Sequence, residues 1–273
     1  MTEKQLRMLV SGWIKSPLEE TDYVIDPLLL DIEDNGQDII YSDYMPTPNN
    51  QLTKGACVGC SGETLFRYLN FVETGKHGDF SEQWLYEKAR IRGGYKEGAT
   101  LKDAFYIMSH EGIPEDRFWP YTDNKKDIGE PLKGAEKNAM RYRIDDKLYF
   151  RLTSEKQIRT ALIKYGPIHV AVYVYKNWLR HKNGHIPVAT FCERMDRLGG
   201  HAIIIEDDLV SQNEYKFENS WGNWGEKEHG YLPKAEVKRS FAEGFAWVDL
   251  KNEPSGGLLT VAGVPKLAKL VVA

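Results

Sequence analysis

Cysteine is scarce: only Cys57, Cys60 and Cys192 occur in 273 residues. An odd number cannot close a disulfide framework, so at least one thiol stays unpaired within the chain, which fits a reducing compartment. No apolar run reaches the roughly 18 residues that a membrane span needs. The first 30 residues lack the basic-then-apolar pattern of a secretory signal. The expectation is a cytoplasmic or otherwise intracellular protein with no membrane partner. Charge of one sign is missing too: 36 basic residues face 40 acidic ones, for a net charge of −4. Without a cationic surface, nucleic acid is not an expected partner. Internal repeats and low-complexity tracts are absent, and composition says nothing of oligomeric state.

What is present is an ordered globular composition, 41% hydrophobic and 12% aromatic, enough for one substantial core or two lobes sharing a cleft. Residues 1–40 read as an extension, with limited helix near Lys4–Trp13 and acidic clusters before the Asn35-Gly36 turn signal. Residues 41–253 read as the main domain. From Ala56, the positions Val58, Leu65, Phe66, Leu69 and Val72 follow helical spacing to Gly75, so a helix begins at or beside Cys57. Gly59 and Gly62 are awkward inside it, each costing about 1 kcal/mol relative to alanine. Further helices are expected at 81–86, 100–110 and 155–164.

Beyond Pro167 the pattern turns to strands at 168–175, 202–206, 214–218 and 244–250. Helices first and strands later indicate an α+β protein with a helical lobe against a β lobe, and the cleft between them is the expected site. Residues 254–273 read as a tail, taken as flexible, although a partner-binding or self-occupying segment is also open.

Three blocks carry chemistry. In Gln51-Leu52-Thr53-Lys54-Gly55-Ala56-Cys57, a thiol at a helix N-terminus meets unpaired amides and the positive end of the macrodipole, both of which favour thiolate. In Gly199-Gly200-His201, a histidine opens an apolar strand behind two small residues, about 140 positions after Cys57. In Asn219-Ser220-Trp221-Gly222-Asn223-Trp224-Gly225, an asparagine amide can fix an imidazole while indoles keep water away. Each block alone also has a plainer reading: a buried structural thiol, a satisfied histidine, an aromatic turn.

Taken in this order, the blocks resemble the papain family of cysteine peptidases, particularly bacterial and viral members without the usual disulfides. The resemblance implies a papain-like two-lobe fold, with a helical N-terminal lobe, a β-rich C-terminal lobe and the active site in the cleft. It implies Cys57 as nucleophile, His201 as general base and acid, Asn219 as the residue orienting the imidazole, and Gln51 as the oxyanion-hole side chain. Trp221 would support that arrangement. The family places its glutamine six residues before the nucleophile; Gln51 stands six before Cys57, and Lys54 six before Cys60. A glycine pair beside the cleft would pair with an extended substrate. Gly94 fits by composition and Gly98 by counting back from Gly112, and Gly200 is a further substrate-binding candidate.

The chain also departs from the pattern. Leu52 replaces a glycine, Val58 an aromatic residue, and the Trp221 to Trp224 spacing is one residue short. Residues 1–40 are short for the family's inhibitory propeptide.

The reaction so implied is peptide-bond hydrolysis through a Cys57 thiolate and His201 imidazolium pair and an acyl-enzyme, on protein or peptide substrates. It requires neither metal nor organic cofactor. An acyl transferase or transpeptidase using the same residues, and a non-catalytic protein retaining the fold, remain open. A redox reading of Cys57-x-x-Cys60 lacks the βαβ context it needs, and Cys192 stands too far from any histidine pair for zinc.

Overall fold

Eight strands form one sheet in the computed structural model, which describes residues 1–20, 22–25, 34–144, 148–248 and 269–270. The strands are β1 Ile39–Ile40, β2 Leu148–Leu152, β3 Ile168–Val174, β4 Gly199–Leu209, β5 Glu214–Glu218, β6 His229–Pro233, β7 Phe241–Val248 and β8 Lys269–Leu270. They run in the order β2-β7-β3-β4-β1-β8, with β5 paired to β4 and β6 to β5. Every pairing between named strands is antiparallel. Of β3, only Tyr173 is not fully buried, which is why its run is apolar rather than alternating.

The helices are α1 Glu3–Leu9, α2 Cys57–Thr74, α3 Glu82–Arg92, α4 Leu101–Tyr106, α5 Ala135–Ala139, α6 Ile158–Tyr165, α7 Phe191–Arg194 and α8 Lys234–Ser240. The helical-lobe boundaries follow capping chemistry. The Ser81 and Thr100 hydroxyls accept from the Trp84 and Asp103 amides, and α2 ends on Gly75 at φ +75°, where a Cβ would be strained. The helix expected to reach His110 stops being α-helical at Tyr106 and continues as a π turn, Ile107–Glu111.

The α+β architecture with a helical part and a β part is as the sequence indicates. The glycines of α2 have a packing role: a methyl at Gly59 would stand 2.5 Å from the Tyr86 Cβ, so glycine lets α3 lie directly on α2. α2 also packs on β4, and this brings the helix N-terminus and the β4 histidine together.

Four strands, β1, β2, β6 and β8, are additional to those expected. The expected strand at 244–250 begins earlier, at Phe241, and its last two positions lie outside the described residues, as do 254–268 and 271–273 of the tail. Lys269–Leu270, within that tail, pair with Ile39 and Ile40. No helix among the described residues is long and apolar enough to cross a membrane.

Candidate active site

Cys57 is the first residue of α2, preceded by Ala56, which offers no side-chain cap. The N-terminal amides of the helix are therefore left without a side-chain cap. The Ala202 backbone amide, one residue past His201, pulls the Cys57 thiol towards its ionised form. One turn along, the Ser61 Oγ donates to the Cys57 carbonyl at 2.6 Å and lies 2.7 Å from the His169 Nε2. Since the hydroxyl proton goes to the carbonyl, His169 donates through Nε2.

His201 sits in β4 opposite Val172 of β3. Its Nε2 bonds the Asn219 Oδ1 at 2.8 Å, which makes Nε2 the donor. Nδ1 is buried and has no hydrogen-bond partner among the described residues, so it is the nitrogen free to exchange a proton with a reacting group. Asn219 follows β5 directly and is held by its N–H to the Glu228 carbonyl at 2.9 Å.

The Trp221 ring stacks on His201 at 4.4 Å and 28°, and Trp178 contacts His201, Trp221 and Trp224. Trp221 thus covers one face of the imidazole. Trp178, from the loop after β3, went unnoticed in sequence because nothing in Lys176-Asn177-Trp178-Leu179 marks it as near a histidine 23 positions away.

Gln51 is fully buried. Its Oε1 accepts from the Ser220 Oγ at 2.7 Å, and its N–H donates to the Ser220 carbonyl at 2.8 Å. These bonds fix the side-chain amide with Nε2 pointing into the cleft. Gln51 is thereby tied to Ser220, the neighbour of Asn219, and Asn219 to His201.

Cys60 faces elsewhere, in a small cluster with Ala56, Tyr86 and Tyr121. Cys192 is exposed, and all three thiols are free. Lys54 is buried with its Nζ 2.6 Å from Glu87 and its charge over the Tyr86 and Tyr121 rings. It ties the loop before Cys57 to α3.

The cleft is not open. The Gln51 Nε2 donates to the Leu9 carbonyl at 3.0 Å, and the Gly200 N–H donates to the Val10 carbonyl at 2.9 Å. The Ala99 N–H donates to the Gly12 carbonyl at 3.0 Å and the Ala99 carbonyl accepts from Ile14 at 2.9 Å, a parallel bridge centred on Trp13. Gly12 lies on Cys57: a methyl there would stand 3.0 Å from the Cys57 Sγ and 2.3 Å from the Gly55 carbonyl oxygen. The chain's own residues 9–14 fill the site.

Of the three glycines considered for substrate binding, Gly200 makes a backbone bond in the cleft. Gly98 lies beside Gly12 and Ile14 but leaves the pairing to Ala99, its neighbour. Gly94, at φ +71°, closes α3 by bonding the Ile91 carbonyl and has nothing near it.

With water shut out, both reacting groups are pushed towards their neutral forms. Burial raises the Cys57 thiol to about 12, against the pull of the backbone amides. Burial lowers His201 to about 4, against the bond to Asn219. The thiolate and imidazolium pair expected from sequence is thus not favoured in the closed site, because nothing solvates either charge there.

A family model for papain family cysteine protease matches residues 40–243. The chain belongs to that family. This papain-family protein is 32% identical over 174 residues to cathepsin C of Schistosoma mansoni, covering 56% of this chain and 37% of that protein. It is 23% identical over 165 residues to a human tubulointerstitial nephritis antigen-like protein, covering 48% and 35%. The chain therefore spans little more than a third of the length of the curated relatives it matches.

Among solved structures, xylellain, a cysteine protease from Xylella fastidiosa, superposes with a TM-score of 0.74 at 18% identity, covering 87% of this chain and 95% of that one. A procathepsin B from Trypanosoma congolense gives 0.68 at 18%, covering 90% and 88%. At such identities the likeness is one of fold.

Proposed function

We propose that this papain-family protein is a cysteine peptidase acting on protein or peptide substrates, held closed by its own residues 9–14. Cys57 attacks the peptide carbonyl and His201 takes its proton through Nδ1. Asn219 keeps the ring turned. The Gln51 Nε2 and the Cys57 N–H receive the oxyanion, each donor worth about 3 kcal/mol in related chemistry. His201 then protonates the leaving amine, and later activates the water that hydrolyses the acyl-enzyme.

The bond from the Gln51 Nε2 to the Leu9 carbonyl carries the reading: the group assigned to an oxyanion already holds a peptide carbonyl. The segment resists cutting because Gln51 holds the carbonyl of Leu9, while the residue lying on the sulfur is Gly12. The attacking atom and the oxyanion donor are thus engaged on residues three apart. When the segment withdraws, water reaches the cleft and the thiolate pair can form.

The test is labelling of the full chain at neutral pH by a thiol-directed epoxide, before and after the addition of mild denaturant. Slow labelling that quickens, is abolished by Cys57→Ser and is kept in Cys60→Ser supports the assignment. Labelling lost only in Cys60→Ser overturns it.

A further inference from the structure

One buried carboxylate joins two stretches of backbone that border the cleft. Glu87, on α3, is 2% exposed, and each of its oxygens holds a different cation. The Oε1 accepts from the Lys54 Nζ at 2.6 Å. The Oε2 accepts from the Arg90 Nε at 2.9 Å and Nη2 at 2.7 Å. At the surface such pairs hold a geometry loosely. Here Lys54 is itself buried, and parting it from Glu87 would leave an uncompensated charge.

Lys54 leads to the oxyanion side chain. Its N–H donates to the Gln51 carbonyl at 3.1 Å, and its own carbonyl accepts from the Gln51 Nε2 at 2.9 Å. A side-chain amide has two protons, so this bond leaves one for the cleft, where it meets Leu9. The Lys54 ammonium also lies over the rings of Tyr86 at 4.8 Å and Tyr121 at 5.8 Å, and the Tyr121 hydroxyl donates to the Gln51 carbonyl at 2.8 Å. Arg90 leads the other way. Its Nη1 donates to the Tyr95 carbonyl at 3.0 Å, and the Tyr86 hydroxyl accepts from the Gly98 N–H at 3.0 Å. Ala99, which clasps the backbone of the closing segment, comes next.

We propose that Glu87 is a positioning residue for the reaction: through Lys54 it aims the Gln51 amide at the oxyanion, and through Arg90 it sets the backbone that pairs with substrate at Ala99. This role rests on the reading of Gln51 as the oxyanion donor of a peptidase. The two arms have different kinetic signatures. An oxyanion forms only after attack, so a misaimed Gln51 lowers kcat. Backbone pairing holds ground state and transition state alike, so a loosened Ala99 raises KM.

Removing one cation leaves Glu87 paired with the other, so Lys54→Met and Arg90→Met avoid a lone buried charge. Both are made in the full chain carrying Gly12→Val, which crowds the Gly55 carbonyl and displaces the closing segment, and are assayed with fluorogenic peptides. Lys54→Met is expected to lower kcat by about tenfold or more with KM held within about twofold. Arg90→Met is expected to raise KM by about tenfold with kcat little changed. Once Gln51→Ala is present, Lys54→Met should cost nothing further in kcat. In the full chain with Gly12 intact, the Gln51 side-chain amide protons, assigned by their loss in Gln51→Ala, should exchange with solvent faster in Lys54→Met, while those of Asn219 keep their rate. Identical kinetic changes in both variants, a kcat loss from Lys54→Met that persists in Gln51→Ala, or unchanged exchange would each overturn the proposal. Faster exchange in Lys54→Met with no peptide hydrolysed by any variant would uphold the positioning and overturn the peptidase reading.

Discussion

The Gln51 Nε2 lies 3.0 Å from the Leu9 carbonyl oxygen, so the side chain proposed to receive the oxyanion holds the protein's own backbone instead. Its loss has two opposed effects. In Gln51→Ala the closing segment loses a bond and labelling of Cys57 quickens, whereas kcat on any peptide falls by about 100-fold or more. Measuring both in one variant separates holding from catalysis; a loss of kcat with unchanged labelling would mean that the Leu9 bond does not keep the cleft closed.

Gly12 can be replaced to open the site by force. A side chain there runs into the Gly55 carbonyl and the Cys57 sulfur, so Gly12→Val should lift the segment. Cys57 is then expected to alkylate at least about tenfold faster at pH 6, since solvent restores the thiolate and imidazolium pair. In the unaltered chain the thiol, raised to about 12, should alkylate appreciably only as the pH rises well above neutral. Equal rate profiles for the two proteins would show that the segment is not what masks the sulfur.

His201 ties closure to stability through pH. Its folded value of about 4 lies below its ordinary 6.5, so the unfolded chain binds the proton first as pH falls. The contribution is fully present above 6.5 and is lost between 6.5 and 4, at up to about 1.4 kcal/mol per pH unit. His201→Ala should therefore gain on the unaltered protein in thermal unfolding as pH is lowered through that window. A pH-independent difference between the two would contradict the burial of a neutral ring.

Asp22 helps hold the chain that follows the segment, because Arg151, which it binds, also donates to the Ser16 and Pro17 carbonyls. Its carboxylate receives the Arg151 Nη1 at 2.6 Å, the Lys102 Nζ at 2.7 Å and the Tyr149 hydroxyl at 2.5 Å, and these bonds hold its pKa well below the usual range despite burial. Asp22→Asn leaves the buried Arg151 with Glu243 alone and Lys102 with Glu19 alone, a loss of roughly 3 kcal/mol. Chemical denaturation reads the stability, and epoxide labelling should show Cys57 more accessible.

Leu52 stands where the family usually has glycine, and its φ of +51° explains the departure's cost. A leucine in left-handed backbone forfeits about 1 kcal/mol, and its half-exposed side chain recovers little of it. Leu52→Gly should raise stability by about 0.5 kcal/mol once the added freedom of the unfolded glycine is counted. A lower denaturation midpoint would contradict this.

How far all this can be read from sequence depends on what each residue does. Cys57, His201, Asn219 and Gln51 were legible because the chemistry accepts few residue types and each stood in a distinctive neighbourhood. The helix at Cys57 and the strand holding His201 followed from periodicity. Strand β2 was not legible because Arg151, a charged residue in its middle, reads as solvent-exposed until Asp22 and Glu243 are seen to neutralise it. The occupant of the cleft was the least legible. Leu9-Val10-Ser11-Gly12-Trp13-Ile14 is an ordinary stretch, and its partners Gln51, Ala99, Gly200 and Glu243 are scattered along the rest of the chain. Choosing Ala99 over Gly98 likewise needed the register of a backbone pair, which no side chain announces.

Because Leu9–Ile14 are covalently part of the molecule they fill, they act as a ligand whose local concentration does not fall on dilution. A short tether corresponds to millimolar effective concentration. On the proposed function, a free peptide must outcompete that standing concentration, so the apparent KM is raised by the same factor by which the closed form outweighs the open one. A protease nick or a binding partner that captures residues 1–14 would act as a gain control, changing the substrate level at which the protein responds without altering any residue of the reacting centre.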